Sequence, residues 1–449
     1  MYESITIEER NIPTVSLVNY GFLNDAESAS RAKGMPYLRY IPTNVPCESS
    51  VIFDIEAGID EVMDKIVDAI IRPLSPEERS PEQKETSKPQ RIIYKGSLEE
   101  VNRHFYTHGW SDGMPVIPPT EEAVAEMLTG TDLPPDHFLG KLQSRNGKVT
   151  IEKIAVNAVM AGCLPTYMPV LIAATQNLIE SEPGFNGYTT FGFSTGSWAP
   201  FWVINGPVAG QININNSSGA LSPGNIANAV IGRAIGLIIK NLGGVRKGVE
   251  DMGTMGNPMK YTLVISENEK ESPWEPLHVE LGYKREDSTI TLSFPNCYLQ
   301  HIPYTSDAEG ILMAIADNMP RGMRYNIIIT PAHAKNLMRE GYDKEKIRKY
   351  IVENKLVTAK KMVAFMGMGP VREKGSGSKS AGETGMVPLI DDPRFIRLIV
   401  AGGPGAWISH LTGGGATPGK KEIQKIELPI NWDDLVARYR NIVPEYERY

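Results

Sequence analysis

The chain has 449 residues, a length that fits two or three domains with full hydrophobic cores. Apolar residues make up 41% and charged residues 22%, the balance of an ordinary globular protein. A formal net charge of −7 argues against a nucleic-acid footprint, and no apolar run reaches the roughly 18 residues that span a membrane. The opening MYESITIEER lacks the basic-then-apolar form of a signal peptide, so a cytoplasmic protein is expected.

In chain order, TVSLVNY (14–20) reads as a buried strand and LNDAESASRAKG (23–34) as a helix stopped by Gly34. YLRYIPT (37–43) reads as a second strand. IEAGIDEVMDKIVDAIIRPL (55–74) reads as an amphipathic helix ended by Pro73. This β-α-β-α order is the grammar of a parallel sheet covered by helices. Two strands make a poor sheet, so residues 1–74 are expected to form an incomplete, Rossmann-like half-domain. Residues 75–91, rich in proline and charge, are expected to be a linker. Residues 92–449 are expected to form one large mixed α/β domain, giving α/β as the fold class throughout. Its expected helices are 97–107, 120–129, 151–161, 168–181 and 223–241. Its expected strands are 200–205, 261–265, 288–294, 325–330 and 396–401, and GSGSKSAGETG (375–385) reads as a flexible loop.

Three cysteines, Cys47, Cys163 and Cys297, show no zinc-type spacing. Cys163 and Cys297 read as buried thiols. Cys47 sits among turn residues with nothing basic beside it to stabilise a thiolate.

Two stretches carry the functional reading. The first, INGPVAGQININNSSGALSPGNIANAVIGRAIG (204–236), holds Asn205, Asn213, Asn215, Asn216, Asn225 and Asn228. Asparagine is disfavoured in strands and helix interiors, yet offers donors and an acceptor without charge. Such a run either grips a polar ligand or serves turns and caps. Ser222 and Pro223 read as N-cap and first residue of the long helix, whose N-terminus favours an anion. Arg233, deeper in that helix, needs a carboxylate, and the second stretch is expected to supply it.

That stretch, SENEKESPWEPLHVE (266–280), crowds five carboxylates, a tryptophan and a histidine beyond the apolar run 261–265. Glu267 and Glu269 share parity on an extended chain, so both face one side. Glu275 and His278 are three apart, a workable spacing for a metal pair or a carboxylate-oriented imidazole. Pro273 and Pro276 predict a rigid loop anchored by Trp274 rather than a regular helix. His278 is the leading acid–base candidate, because its ordinary pKa lies near neutrality. Solvated glutamates and a satisfied core histidine are the bland alternative.

Weaker candidates are THGWSDGMPVIPPT (107–120), with His108, Trp110 and Asp112, and IVAGGPGAWISHLTGGG (399–415). The glycines of the latter follow a strand but match neither dinucleotide fingerprint nor P-loop, so nucleotide is not expected. Asn157, inside the apolar helix EKIAVNAVMAG, requires a partner.

The segments EKIAVNAVMAG, INGPV, NSSGALSPGNIANAVIGRAIGL, MGTMGN, ENEKESPWEPLH and DSTITL resemble the UGSC-type (seleno)protein family, over most of residues 10–330. The resemblance implies an N-terminal α/β domain with a selenocysteine or cysteine in a short motif, then a large domain, and thiol-dependent chemistry on a small molecule. Here the chain starts after the strand and loop that carry that motif, and Cys47 is not in its place. The leading expectation is therefore the large subunit of a two-part thiol- or selenol-dependent enzyme acting on a small polar or anionic molecule. A small Cys- or Sec-containing subunit would complete the N-terminal sheet, and a closed homodimer through the same edge is the alternative. His278 would act as acid–base with Glu267, Glu269 and Glu275. Arg233, Asn205, Asn216, Asn225, Asn228, Trp274 and Asp112 would bind substrate. The competing expectations are a metal-dependent lyase or hydrolase, with a divalent ion on Glu275 and His278, and a non-catalytic scaffold.

Overall fold

The computed structural model describes residues 2–45, 50–79, 90–181, 194–365, 385–414 and 422–442. Cys47, most of the 75–90 segment and nearly all of the 375–385 loop lie outside them.

The first elements are α1 (Tyr2–Glu8), β1 (Ser16–Asn19), α2 (Leu23–Ala32), β2 (Tyr40–Thr43) and α3 (Ile52–Ile71). Strands β1 and β2 pair in parallel and form a sheet of two. Helix α3 starts three residues earlier than its pattern suggests and stops before Pro73. Only Val62 of this helix is fully buried. Phe53 is 74% exposed and Ile71 72%, with Met63, Val67 and Ile70 also open to solvent. A short turn, α4 (Pro76–Arg79), follows.

The remaining helices are α5 (Leu98–Thr107), α6 (Glu121–Leu128), α7 (Ile151–Ala161), α8 (Met168–Glu180), α9 (Pro207–Gln211), α10 (Ile226–Asn241), α11 (Leu277–Glu280), α12 (Ala308–Asn318), α13 (Pro331–Arg339), α14 (Lys344–Asn354), α15 (Ala359–Phe365) and α16 (Trp432–Tyr439). The strands are β3 (Phe138–Leu142), β4 (Gly147–Thr150), β5 (Phe201–Asn205), β6 (Val264–Ser266), β7 (Thr289–His301), β8 (Arg324–Ile329), β9 (Leu356–Thr358), β10 (Met386–Pro388), β11 (Ile396–Val400), β12 (Ile408–Gly414) and β13 (Ile423–Lys425). Several helices start on side-chain caps visible in the sequence: Ser97 with Glu100 on α5, Thr150 on α7, Asp307 on α12 and Asp343 on α14.

The main sheet is mixed, in the order β11-β8-β12-β7-β5-β6, with β13 added on β7. Strands β8 and β11 are parallel, as are β5 and β6, while β12 and β7 run antiparallel between them. Alternation along the strands sorts their side chains into layers. Tyr325, Ile327 and Ile329 of β8 and Leu398 and Val400 of β11 pack on one outer layer with residues of α12, α13 and α14. Trp202 and Ile204 of β5 pack on the other outer layer with α7, α8 and α10. The opposite parity, Phe201, Val203, Ile265, Ile328, Ile399 and Leu411, forms a third cluster inside the sheet. Backbone N–H of Asn268, just past β6, bonds the carbonyl of Val400, the last residue of β11, at 2.7 Å. The two ends of the strand order therefore meet, and the sheet is rolled about its inner cluster.

Strand β12 falls in the glycine-rich 399–415 stretch, where the sequence marked no second strand. All seven of its residues are buried, and Gly413 fits because an added Cβ would meet Phe294 O at 2.4 Å. The N-terminal helices dock through α2: Ser28 donates to Glu250 Oε1 at 2.6 Å, and Asn146 Nδ2 donates to Ala32 O at 3.1 Å.

Candidate functional site

Strand β5 ends in Asn205, and Gly206 turns the chain at φ 85°, where an added Cβ would lie 2.1 Å from Asp287 O. The turn brings Asn205 under the end of β6. Asn205 Nδ2 donates to Glu267 Oε2 at 2.8 Å and to Glu269 Oε1 at 3.0 Å. Gly206 N–H donates to Glu269 Oε1 at 2.7 Å, and Leu277 N–H donates to Glu267 Oε2 at 2.7 Å. The shared parity of the two glutamates is thus realised as convergence on one asparagine. Lys344 Nζ stands 3.7 Å from Glu267 Oε1 and 3.2 Å from Glu280 Oε2, and Arg348 also pairs with Glu280. Lys344 gave no signal in the sequence beyond one more charge on a polar helix.

His278 lies in the single turn α11, which Pro276 starts instead of preventing. It is fully buried; its Nε2 donates to Arg285 O at 3.4 Å, and its Nδ1 stands 3.8 Å from Glu269 Oε1. Glu275 is exposed, and no hydrogen bond or ion pair joins it to His278. The expected metal pair is therefore not formed. Among the described residues, no group of three or more His, Cys, Asp and Glu stands where it could hold a metal ion. Trp274 is buried, and its Nε1 donates to Tyr342 O at 3.2 Å, the anchoring role its loop required.

Arg233 does not reach the 267–275 stretch. It forms a two-pronged pair with Asp112, at 2.8 and 3.0 Å, and donates to Pro115 O at 2.7 Å. The 107–120 loop was its partner all along, and both groups are used in tying that loop to α10. Asn157 is satisfied in the same region by Asn241 Nδ2 at 2.8 Å and by Lys153 O.

The asparagines divide between wall and frame. Helix α10 starts at Asn225, not at Ser222: Asn225 Oδ1 accepts from Asn228 N–H at 3.1 Å. Asn228 Oδ1 accepts from Asn215 N–H at 2.8 Å, and its Nδ2 faces the carbonyls of Asn215, Ala220 and Val264. Asn216 Nδ2 donates to Glu267 O at 3.4 Å, and Gly402 N–H donates to Asn216 O at 2.9 Å. Asn213 adopts φ 54°, a left-handed conformation that asparagine tolerates well.

This frame encloses a cavity of about 1030 Å³. One wall is the 213–219 loop with Asn225; another is Gly402–Pro404 beyond β11; the third is α13, with Pro331, Lys335 and Arg339. The cavity thus lies at the carboxyl ends of the parallel strands β8 and β11, the end at which α/β folds, open or closed, usually hold a ligand. Its charged lining is Lys335, Arg339 and Glu271, two cations against one carboxylate. Lys335 Nζ is 3.7 Å from Glu271 Oε2. The N-terminus of α13 adds a positive helix end, uncapped by the Thr330 side chain. Asn213, Asn216 and Asn225 line the cavity, whereas Asn205, Asn228, Glu267, Glu269 and His278 brace its wall from behind.

The neighbouring space, about 350 Å³, is lined by Thr330, Ser218 and Trp407. There Thr330 Oγ stands 3.3 Å from His333 Nδ1, whose pKa burial pushes down. The sequence TPAH after a strand carries the signal for this pair. Burial also pushes the Cys163 thiol well above its ordinary pKa, and its Sγ contacts Val230 O at 3.4 Å. No family model, curated protein or solved structure matches the chain.

Proposed function

We propose that the chain is the large subunit of a two-part enzyme that acts on a small anionic molecule held between the 213–219 loop and α13. The cavity at the carboxyl ends of β8 and β11 carries this reading. It combines excess positive charge, a helix N-terminus and uncharged amide groups in one enclosure. Lys335 and Arg339 draw the anion in, and Asn213, Asn216 and Asn225 orient its polar groups. The buried cluster of Asn205, Glu267, Glu269 and Lys344 holds the wall in place, so His278 serves as a positioning residue. In the neighbouring space, Thr330 stands beside the imidazole of His333 while its hydroxyl donates to Gly405 O at 3.2 Å, a pair that would serve proton transfer once that bond is released.

The thiol implied by the family resemblance would then come from a partner, since Cys163 is buried and protonated and Cys297, half-buried rather than buried as expected, does not line the cavity. Support for a partner is the apolar stripe of α3, with Met63, Val67, Ile70 and Ile71 exposed beside a sheet of only two strands. Asp60, Asp64 and Asp68 on the same helix favour a partner with basic residues around its apolar face. The metal-dependent reading loses its ligand pair with Glu275 at the surface.

Native mass spectrometry of protein from its source cells tests the proposal. The expected spectrum shows a second short chain and a retained small anion, the anion absent from a Lys335→Met, Arg339→Met double variant. A single bare chain, equally active in that variant, sinks it.

A further inference from the structure

A second cavity, of about 540 Å³, opens at the amino ends of β8 and β11. Arg324 begins β8 and Arg397 lies in β11, and both have the parity of the inner face of the rolled sheet. Arg324 is 1% exposed and Arg397 3%. Both guanidiniums turn to a single carboxylate, Glu422, itself 5% exposed. Arg324 Nη2 bonds Glu422 Oε2 at 2.9 Å, and Arg397 Nη2 contacts the same oxygen. Arg324 also donates to Arg394 O at 2.8 Å, and Arg397 to Leu292 O at 3.1 Å. Arg397 Nε is buried without a hydrogen-bond partner.

Glu422 is thus shared by two guanidiniums, in a setting that water screens poorly. Removing a guanidinium from water is costly unless its charge is matched. The pKa of Arg324 is pushed down to about 9, by burial first and by the neighbouring Arg397 second. The rim carries both signs: Arg348, Lys349, Glu345 and Glu353 on α14, Glu280 on α11, and Arg394 on the turn before β11. Arg348 pairs with Glu280, which Lys344 shares, and Arg394 pairs with Asp392. The upper walls are apolar: Leu277, Leu281, Val352 and Ile396. A charged floor under apolar walls is the form of a site for a small molecule with one oxyanion head.

The geometry points to a second ligand site, in which Arg397 and Arg324 bind the phosphate or carboxylate group of a small molecule entering between α14 and the 393–394 turn. Planar guanidiniums match such oxygens two at a time, which an ammonium does not. This site is distinct from the cavity at the other end of the strands and does not depend on the function proposed for it.

Isothermal titration of the full-length chain, with inorganic phosphate in one series and succinate in another, tests the assignment. The protein carries Lys335→Met and Arg339→Met, so that the carboxyl-end cavity contributes no signal. One-site binding of phosphate, of succinate or of both is expected, and the preference tells which head group the site takes. Arg397→Lys should weaken that binding by about tenfold or more. Glu422→Gln, which removes the competing carboxylate, should strengthen it; should either variant fail to fold, thermal unfolding of the Lys335→Met, Arg339→Met protein with and without each anion decides the matter, a raised midpoint being expected. No heat from either anion at millimolar concentration, or binding that neither substitution alters, overturns the proposal.

Discussion

The two ends of the β8–β11 pair hold the same charges in opposite settings. At the carboxyl ends, Lys335 and Arg339 face Glu271 at a solvent-open wall of asparagines. At the amino ends, Arg324 and Arg397 face Glu422 with almost no exposure. In the first setting the charges are screened and the geometry is held by neutral amides bonded to backbone. In the second the charges themselves are the structure. Charge at the open end can therefore change without disturbing the fold, whereas charge at the closed end serves the fold and the ligand site proposed there together. Substitutions at the open end should alter binding alone, and those at the closed end stability as well.

Glu422→Ala is expected to have the largest effect. It leaves two buried guanidiniums facing each other and should cost about 3–5 kcal/mol, read by denaturant unfolding. Asn228→Ala comes next. It strands the Asn215 N–H and loosens the 213–219 loop, at about 1–3 kcal/mol, with loss of ligand retention. An Asn228→Ala protein of unchanged stability would show that the loop is held by other means. Lys335→Met should leave stability within about 0.5 kcal/mol and remove anion binding at the carboxyl end. If it unfolds the chain instead, the contrast drawn between the two ends is wrong.

The smallest expected effect lies away from both ends, at the docking of α2. Asp25 has its pKa raised to about 7, by burial first and by Glu250 second. Its ordinary pKa is near 4, so the folded state binds the proton more tightly than the unfolded one. The docked N-terminal unit is then most stable below pH 4 on this account, and loses stability as pH rises through 7. Asp25→Asn should flatten that loss between pH 5 and 8, followed by thermal unfolding.

Local rules carried much of the fold. RYNIIITPAHAK spells β8 and α13 directly, since three isoleucines and a threonine run into a proline at the first helical position. Parity placed Glu267 and Glu269 on one side. Strand β12 escaped because glycines at Gly413 and Gly414 look like loop, and only the close approach of β7 explains them. Proximity in sequence points Arg233 to the wrong carboxylate, since Glu267 is 34 residues away and its actual partner Asp112 is 121 away. Arg324 and Glu422 are 98 residues apart, and nothing local marks either as half of a buried pair. The cations of the carboxyl-end cavity lie on an ordinary amphipathic helix, where solvated charge is the default reading.

Gly403 sits so close to Ser218 that an added Cβ would fall 1.8 Å from its Oγ. Beside it, Gly402 N–H is tied to Asn216 O. Two loops from distant parts of the chain are thus already locked together before any ligand arrives. Their ordering entropy is lost during folding rather than on association. A molecule entering there should meet a finished wall, and its capture in stopped-flow experiments should follow one concentration-dependent phase with no slower rearrangement behind it.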